Sequence, residues 1–372
     1  MKHLLLLALT LTGSFSFGEI PDLMTYKDEQ GNRRQVTTEK DWKIRRREIL
    51  DHMEDVMGPL PSRDNLPPLD VQVNNVLEEE TFIRKTIRFT PAENEFVSAY
   101  LYIPTRDGKS VSGKRPAMLV LQGTDYALGK RSVDGESARN NRATARELAR
   151  RGYVVIAPDY PGMGEQKDFD FKSARYQSGT MAGIFYHIRC IDLLQSLDEV
   201  DPDRIGVIGH SLGGHNAMFL GAFDPRLKVI VSSCGWTQFE YYDTGPAASQ
   251  QYGGRLGGWA QDVYMPLLRE KFQLDEKRIP FEFHEVIALF APRVFFSNSP
   301  LHDDNFNVVG VRKGIELASR AYAFYHAEGN LQVRYPDDGH DFPPDVRLEA
   351  FRLIDRVLDF HPDLDDCLMP QK

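Results

Sequence analysis

The sequence predicts an α/β fold with a mostly parallel central sheet and helices on both of its faces. Two observations support this prediction. From residue 117 onward, short apolar runs alternate with segments of helical length, and strands separated by helices pair in parallel. Within this alternation, the apolar run 205–208 leads directly into Gly209-His210-Ser211-Leu212-Gly213. A Gly-x-Ser-x-Gly turn between a strand and a helix is the sequence form of a nucleophile elbow.

The composition is that of an ordinary globular chain. Of its 372 residues, 41% are hydrophobic and 27% are charged, so the chain can bury a substantial core. There are 45 basic and 54 acidic residues, a net charge of −9, and no basic stripe. We therefore expect neither a nucleic-acid partner nor an anionic membrane partner.

Three cysteines, Cys190, Cys234 and Cys367, are too few for a disulfide framework. Cys190 and Cys234 lie in apolar patterns, and we expect them to fill the core. No cysteine, histidine and carboxylate ligands cluster at the short spacings typical of zinc sites. The sequence therefore predicts neither a metal nor an organic cofactor.

Residues 1–18 have the pattern of a secretory signal peptide. Lys2 and His3 provide a basic start before the apolar run Leu4–Leu11, which is too short to span a bilayer as a helix. Ser16 and Gly18 place small residues at the −3 and −1 positions of a cleavage site. We therefore expect cleavage near Gly18 and a secreted or periplasmic protein.

Residues 19–75 are predicted to form an N-terminal arm followed by a helix. Residues 19–37 are polar and turn-rich, which indicates a loosely attached arm. A helix is expected at 38–57, because Thr38 and Asp41 form a capping pattern. Apolar residues recur at helical intervals along it: Trp42, Ile49, Met53 and Met57.

Residues 76–372 are predicted to form the main domain. The segments 82–89 and 96–103 alternate like strands and are expected to pair across a short turn. Further strands are expected at 117–121, 153–157, 205–208, 229–233, 294–297 and 331–335. Helices are expected at 137–151, 179–197, 311–325 and 344–360.

The segment 235–287, after the sixth strand of this series, interrupts the alternation. It is rich in glycine and aromatic residues and contains no clear strand. Doubly wound sheets bind ligands at the carboxyl ends of their strands. We therefore predict that this segment is a lid or a substrate-binding insertion.

The elbow makes Ser211 the candidate nucleophile, which needs a general base and an acid that orients the base. In folds with this elbow, the acid and then the histidine follow the serine along the chain, in loops after later strands. His340, in the loop after the last strand, is the candidate base. His210 and His215 are instead expected to pack or hydrogen-bond locally.

Asp303 and Asp304 both follow the strand 294–297 and compete as the candidate acid, since adjacent side chains cannot both face one imidazole.

The backbone amide of Leu212 lies at the start of a helix and is predicted to stabilise an oxyanion. The loop after the strand 117–121 is expected to provide the second amide, and Thr124 is the candidate.

Beyond the elbow, several segments from about Trp42 to the C-terminus resemble the α/β-hydrolase superfamily. Within it, the chain is similar to secreted bacterial acetyl xylan esterase-like and dienelactone hydrolase-like proteins. The resemblance lies in Met57-Gly58-Pro59-Leu60-Pro61, Asp159-Tyr160-Pro161-Gly162, Ala222-Phe223-Asp224-Pro225-Arg226, Ala291-Pro292-Arg293 and His302-Asp303-Asp304-Asn305-Phe306.

The resemblance implies an α/β-hydrolase fold and ester hydrolysis, on an acylated polysaccharide or on a small aryl or alkyl ester. The run Asp303-Asp304-Asn305 is also similar to serine peptidases of the prolyl oligopeptidase type. In those enzymes the first aspartate serves the triad, which favours Asp303. Gln122 departs from the pattern, because many relatives have a histidine there.

The predicted function is therefore that of a secreted serine esterase with the triad Ser211, Asp303 and His340. Two alternatives remain: a serine peptidase of the prolyl oligopeptidase type, and a non-catalytic relative that binds carbohydrate through its aromatic insertion.

Overall fold

The predicted alternation produces one large sheet in the computed structural model, which describes residues 20, 22–106, 109–111, 113–172, 175–362, 364 and 367–370. The predicted signal peptide lies outside these residues. The strands are β1 (Thr25–Lys27), β2 (Arg33–Gln35), β3 (Gln72–Glu78), β4 (Phe82–Phe89), β5 (Val97–Arg106), β6 (Lys109–Ser110), β7 (Arg115–Leu121), β8 (Val154–Pro158), β9 (Val200–His210), β10 (Val229–Ser233), β11 (Val294–Asn298) and β12 (Leu331–Arg334).

The helices include one in each segment where a helix was expected, and the insertion 235–287 adds three that were not predicted. They are α1 (Glu39–Met57), α2 (Thr144–Arg150), α3 (Gly179–Ser196), α4 (Leu212–Phe223), α5 (Gly245–Tyr252), α6 (Leu267–Glu270), α7 (Phe283–Ala288), α8 (Val308–Phe324) and α9 (Pro344–Val357). No helix among the described residues is both long and apolar enough to cross a membrane.

The strand order in the large sheet is β12-β11-β10-β9-β7-β8-β5-β4-β3. Neighbouring strands from β12 to β8 are parallel, and β5, β4 and β3 continue the sheet antiparallel. The prediction of a mostly parallel sheet is confirmed. The carboxyl ends of β7, β9, β10, β11 and β12 therefore meet along one edge.

Side chains of β7 alternate between the two faces of the sheet. Ala117, Leu119 and Leu121 join the core that includes residues of α1, α3, α4, α7 and α8. Met118 and Val120 join the opposite core, with residues of α2 and α9. This alternation follows from the two-residue period of a strand, and it explains why a strand covered on both faces is apolar throughout.

Three segments differ from the prediction. The segment 19–37 is not loosely attached: its strands β1 and β2 pair as a hairpin, and Leu23, Met24 and Val36 are buried. β3 was not predicted, because its residues are all exposed and give no apolar alternation. The helix predicted from residue 137 begins only at Thr144, after Asn141 has adopted a φ of 60°, which a helix does not accommodate.

The insertion 235–287 folds around α5, α6 and α7, with no strand among its residues. Its aromatic side chains pack against one another, and the rings of Tyr242 and Trp259 stack with centroids 3.8 Å apart. Glu282 joins its two ends, since the buried carboxylate accepts the backbone N–H of Phe239 at 2.9 Å and of Phe283 at 2.8 Å. Much of the insertion is therefore part of the core.

The carboxyl of Glu282 makes stability depend on pH. Burial raises its pKa from 4.5 to about 8, against the opposing effect of the two backbone N–H donors. Between these pH values the folded chain binds a proton that the unfolded chain releases. The contribution of Glu282 to the free energy of unfolding therefore falls as pH rises, by at most about 1.4 kcal/mol per pH unit. Urea unfolding across this range should show that Glu282→Gln removes this slope relative to the wild type. The exposed Glu270→Gln should keep it, and equal slopes in all three proteins would contradict the assignment.

Candidate active site

The elbow places Ser211 in a strained conformation at the carboxyl end of β9. Its φ and ψ are 56° and −118°, a region that side-chain-bearing residues rarely adopt. Its backbone N–H donates to the carbonyl of Ser233 at the end of β10, at 2.8 Å. A Cβ at Gly209 would overlap the backbone of Gly213, and one at Gly213 would overlap the carbonyl oxygen of Leu121. The two glycines of the motif are therefore required by backbone contact.

The loop after β7 lies against this elbow. A Cβ built at Gly123 would be 3.6 Å from the Cβ of Ser211. Thr124 follows, and its hydroxyl lies 3.0 Å from the hydroxyl of Tyr264 in the insertion. Leu212 is the first residue of α4, where backbone N–H groups lack helical partners. The two residues predicted to stabilise an oxyanion line one cleft together with Ser211.

The loops after β11 and β12 bring Asp303 and His340 together. Nδ1 of His340 lies 3.0 Å from both carboxylate oxygens of Asp303. Oδ1 of Asp303 also accepts the backbone N–H groups of Asn305 and Phe306, at 2.9 and 3.1 Å. Asp303 is buried, whereas Asp304 is exposed. Of the two competing aspartates, the structure places Asp303 against the imidazole.

Ser211 and His340 line one cleft of about 400 Å³. Among the described residues, no hydrogen bond joins the two side chains. Hydrogen bonds between catalytic groups often shorten only when substrate is bound.

The two histidines near Ser211 in the chain have local partners. Nδ1 of His210 lies 3.0 Å from the hydroxyl of Ser233, and burial, with Arg142 and His340, holds its pKa well below the ordinary value. His215 packs against the ring of Trp259, and burial lowers its pKa to about 3. Both imidazoles are therefore neutral, and neither replaces His340.

Two clefts meet at Ser211, and each has a wall of different chemical character. Thr124 and Asn305 line both clefts. One wall lines a cleft of about 230 Å³ and is rich in aromatic residues, which are Tyr126, Tyr242, Tyr252, Trp259, Tyr264 and Phe306. The other is polar and includes Ser132, Ser137, Arg139 and Arg142. Arg142 is paired with Asp341, whereas the exposed Arg139 has no ion pair among the described residues. No sequence pattern indicated this polar wall, because Arg139 and Arg142 precede α2 in an irregular segment.

Cys234 also lies at the site, beside Asp303 and His340. Its sulfur, a carboxylate oxygen of Asp303 and a ring nitrogen of His340 all lie within 4.8 Å of one another. These three residues could hold a metal ion, although sequence spacing indicated no such cluster. The strand order brings them together, since Cys234 directly follows β10 and Asp303 follows the adjacent parallel strand β11, but no local sequence pattern shows this.

An ion-pair network supports the loop after β7. The buried ammonium of Lys130 lies 2.6 Å from Asp159 and 2.8 Å from Glu165. The backbone N–H of Lys130 also donates to Asp159, at 2.7 Å. Asp159 belongs to the loop after β8, so the two loops are held together next to the elbow.

Replacing Gly213 by alanine tests the backbone contact at the elbow. The added methyl group would overlap backbone oxygens of Leu121 and Gln122, and such overpacking typically costs about 1–3 kcal/mol. We expect Gly213→Ala to lower the free energy of unfolding by this amount, as measured by urea denaturation. Gly329→Ala is the control, because a Cβ at Gly329 meets no atom within 4 Å. Equal stability of the two variants would contradict the contact.

The chain is similar to known hydrolases and esterases. Residues 165–329 match the family model for fungal glucuronyl esterases. The chain is 29% identical over 312 residues to YtaP of Bacillus subtilis, which is described as a hydrolase, and the match covers 82% of this chain and 96% of YtaP. It is 25% identical over 177 residues to the 4-O-methyl-glucuronoyl methylesterase of Hypocrea jecorina, covering 45% of this chain and 37% of that protein.

Among solved structures, a glucuronoyl esterase from Solibacter usitatus superposes with a TM-score of 0.66 at 19% identity, covering 91% of this chain and 97% of that one. This similarity shows the fold, and the sequence matches add the class of enzyme. The chain has an α/β-hydrolase fold and is similar in sequence to carboxylic-ester hydrolases, which supports a serine carboxylesterase.

Proposed function

We propose that this protein is a secreted esterase that cleaves carboxylic esters of carbohydrates through an acyl-enzyme. The observation that carries the proposal is the position of Ser211, on a strained elbow and in one cleft with an imidazole held by a buried aspartate. The choice of carbohydrate esters is supported by the match to the glucuronyl esterase model. Secretion is supported by the pattern of residues 1–18.

In the proposed reaction, Asp303 accepts the Nδ1–H of His340 and leaves Nε2 free to act as a base. Nε2 takes the proton of Ser211 while the serine oxygen attacks the ester carbonyl. The backbone amides of Leu212 and Thr124 stabilise the negative oxygen of the tetrahedral intermediate. The alcohol then leaves with the proton from His340.

The second half of the reaction repeats these steps with water. His340 takes a proton from the water, the resulting hydroxide attacks the acyl-enzyme, and the carboxylic acid leaves as Ser211 regains its proton. Each turnover consumes one ester and one water and produces one acid and one alcohol.

The two walls favour an ester in which one part is a ring with a flat apolar face and the other part is polar. Aromatic side chains such as Tyr252 and Tyr264 present flat apolar surfaces to the rings of sugars or aryl groups. On the opposite side, Arg139 offers hydrogen-bond donors to the hydroxyl groups or carboxylate of a polysaccharide. We therefore propose glucuronoyl esters as the first substrates to test and acetylated xylan as the second.

Ser211→Ala tests the function directly. The panel comprises a glucuronoyl ester, acetylated xylan, a p-nitrophenyl ester and an aminoacyl anilide, with products detected chromatographically. We expect the wild type to cleave one of the carbohydrate esters, and Ser211→Ala to lose about 10⁶-fold in kcat if the triad acts as a unit. A fluorophosphonate should label the wild type at Ser211.

Three outcomes would contradict the proposal. Cleavage of the anilide alone would indicate a peptidase. A folded wild type that is neither labelled nor active would indicate a binding protein. An undiminished rate in Ser211→Ala would refute the mechanism.

Asp303→Asn and Asp304→Asn form a matched pair that tests the acid. Asparagine at 303 would favour the wrong tautomer of His340, and such a change lowers kcat by about 10⁴-fold in a comparable triad. We expect this loss for Asp303→Asn and a change of no more than a few-fold for the exposed Asp304→Asn. Steady-state kinetics on the best ester measures both, and the reverse order would assign the role to Asp304.

A further inference from the structure

We infer that Cys234, Asp303 and His340 form a binding site for one thiophilic divalent cation such as Zn²⁺, and that the bound cation blocks hydrolysis. The binding half of this inference is independent of the reaction, whereas the inhibition half rests on the proposed function. The cation is an inhibitor in this view and takes no part in the reaction.

The donor set is the first argument. A thiolate, an imidazole nitrogen and a carboxylate oxygen are the ligands that Zn²⁺ prefers in proteins. In a tetrahedral zinc site such atoms lie about 3.5 Å apart, and here all three lie within 4.8 Å of one another. Small side-chain adjustments would therefore complete three positions of the shell and leave the fourth for water from the cleft.

Charge and burial are the second argument. The side chain of Asp303 is 1% exposed and that of His340 is 21% exposed, and Cys234 is 2% exposed. A thiolate and a carboxylate together balance the two charges of Zn²⁺, so the occupied site carries no net charge in a buried environment. Of the three residues, His340 lines the cleft that contains Ser211.

Existing contacts of the three residues do not prevent binding. The thiol of Cys234 donates to the backbone carbonyl of Asp341 at 3.1 Å, and the cation displaces this proton. Oδ1 of Asp303 accepts two backbone N–H groups, whereas the hydrogen-bond partner of Oδ2 is Nδ1 of His340, at 3.0 Å. Oδ2 is therefore the oxygen available to the cation, and the backbone bonds that hold the carboxylate stay intact.

Binding blocks the base by changing the tautomer of His340. When the cation occupies Nδ1, the one proton of the neutral imidazole moves to Nε2. Nε2 faces the cleft as a donor and cannot accept the proton of Ser211. One thiol proton is released to solvent, and the cation forms one bond each with sulfur, nitrogen and oxygen.

Two measurements separate binding from inhibition. The first uses full-length Ser211→Ala, in which all three ligands are present whatever the reaction. Titration with Cd²⁺ should give the ultraviolet absorption of a metal–thiolate bond at one cation per chain, and Cys234→Ser in this background should abolish it. The second is inhibition of the active protein by Zn²⁺, with reversal by EDTA.

We expect Cys234→Ser to raise the Zn²⁺ concentration for half-inhibition by at least about tenfold, relative to its own metal-free rate. Cys190→Ala is the matched control, because Cys190 is equally buried but lies in α3, and it should keep the wild-type sensitivity. Cys234→Ala provides a second test, with thermal unfolding used to verify that each variant is folded.

The absence of Cd²⁺–thiolate absorption in Ser211→Ala would overturn the site. Equal Zn²⁺ sensitivity in the wild type and both Cys234 variants would overturn it as well. Stoichiometric binding to an esterase that keeps its full rate would overturn the proposed block. A wild type that binds Cd²⁺ through Cys234 but cleaves no ester would support the site while contradicting the proposed function.

Discussion

The active site depends on one close contact between backbone segments. Gly213, at the start of α4, lies so near the carbonyl groups of Leu121 and Gln122 that no side chain fits between them. This contact fixes the distance between the elbow and the loop after β7. Leu212 and Thr124, one from each of these two segments, line one cleft with Ser211. The strained φ of Ser211 persists because the packed strands on either side prevent the turn from adopting another backbone conformation.

The parts of the fold and site that sequence reasoning predicted are those with a local signal. The elbow is encoded in five consecutive residues, and parallel strands bring their carboxyl ends to one edge, which is why His340 could be assigned from its place after β12. The choice between Asp303 and Asp304 needed coordinates in addition to the resemblance. It depends on two backbone N–H groups that turn one carboxylate inward and leave its neighbour in solvent.

The features that were missed have no such signal. β3 is exposed along its whole length, so it is held by pairing with β4 rather than by an apolar face. The hairpin of β1 and β2 packs through Leu23, Met24 and Val36, three residues scattered in a polar segment. Cys234 was correctly expected to be buried. Its position next to the imidazole depends on a turn with a φ of 47° directly after β10, which no local pattern predicts for a cysteine.

The buried ion pair of Lys130 and Asp159 contributes more to the positions of the surrounding loops than to the stability of the fold. Lys130 and Asp159 are almost completely buried, and the cost of removing two charges from water often equals what their attraction returns. An apolar pair of similar volume could stabilise the chain as well, but it could not accept the backbone N–H of Lys130 or reach Glu165. These directional bonds tie the loop that carries Thr124 to the loop after β8. In the proposed mechanism, Asp159 and Lys130 are therefore positioning residues for the loop that carries Thr124, and they do not contact the reacting atoms.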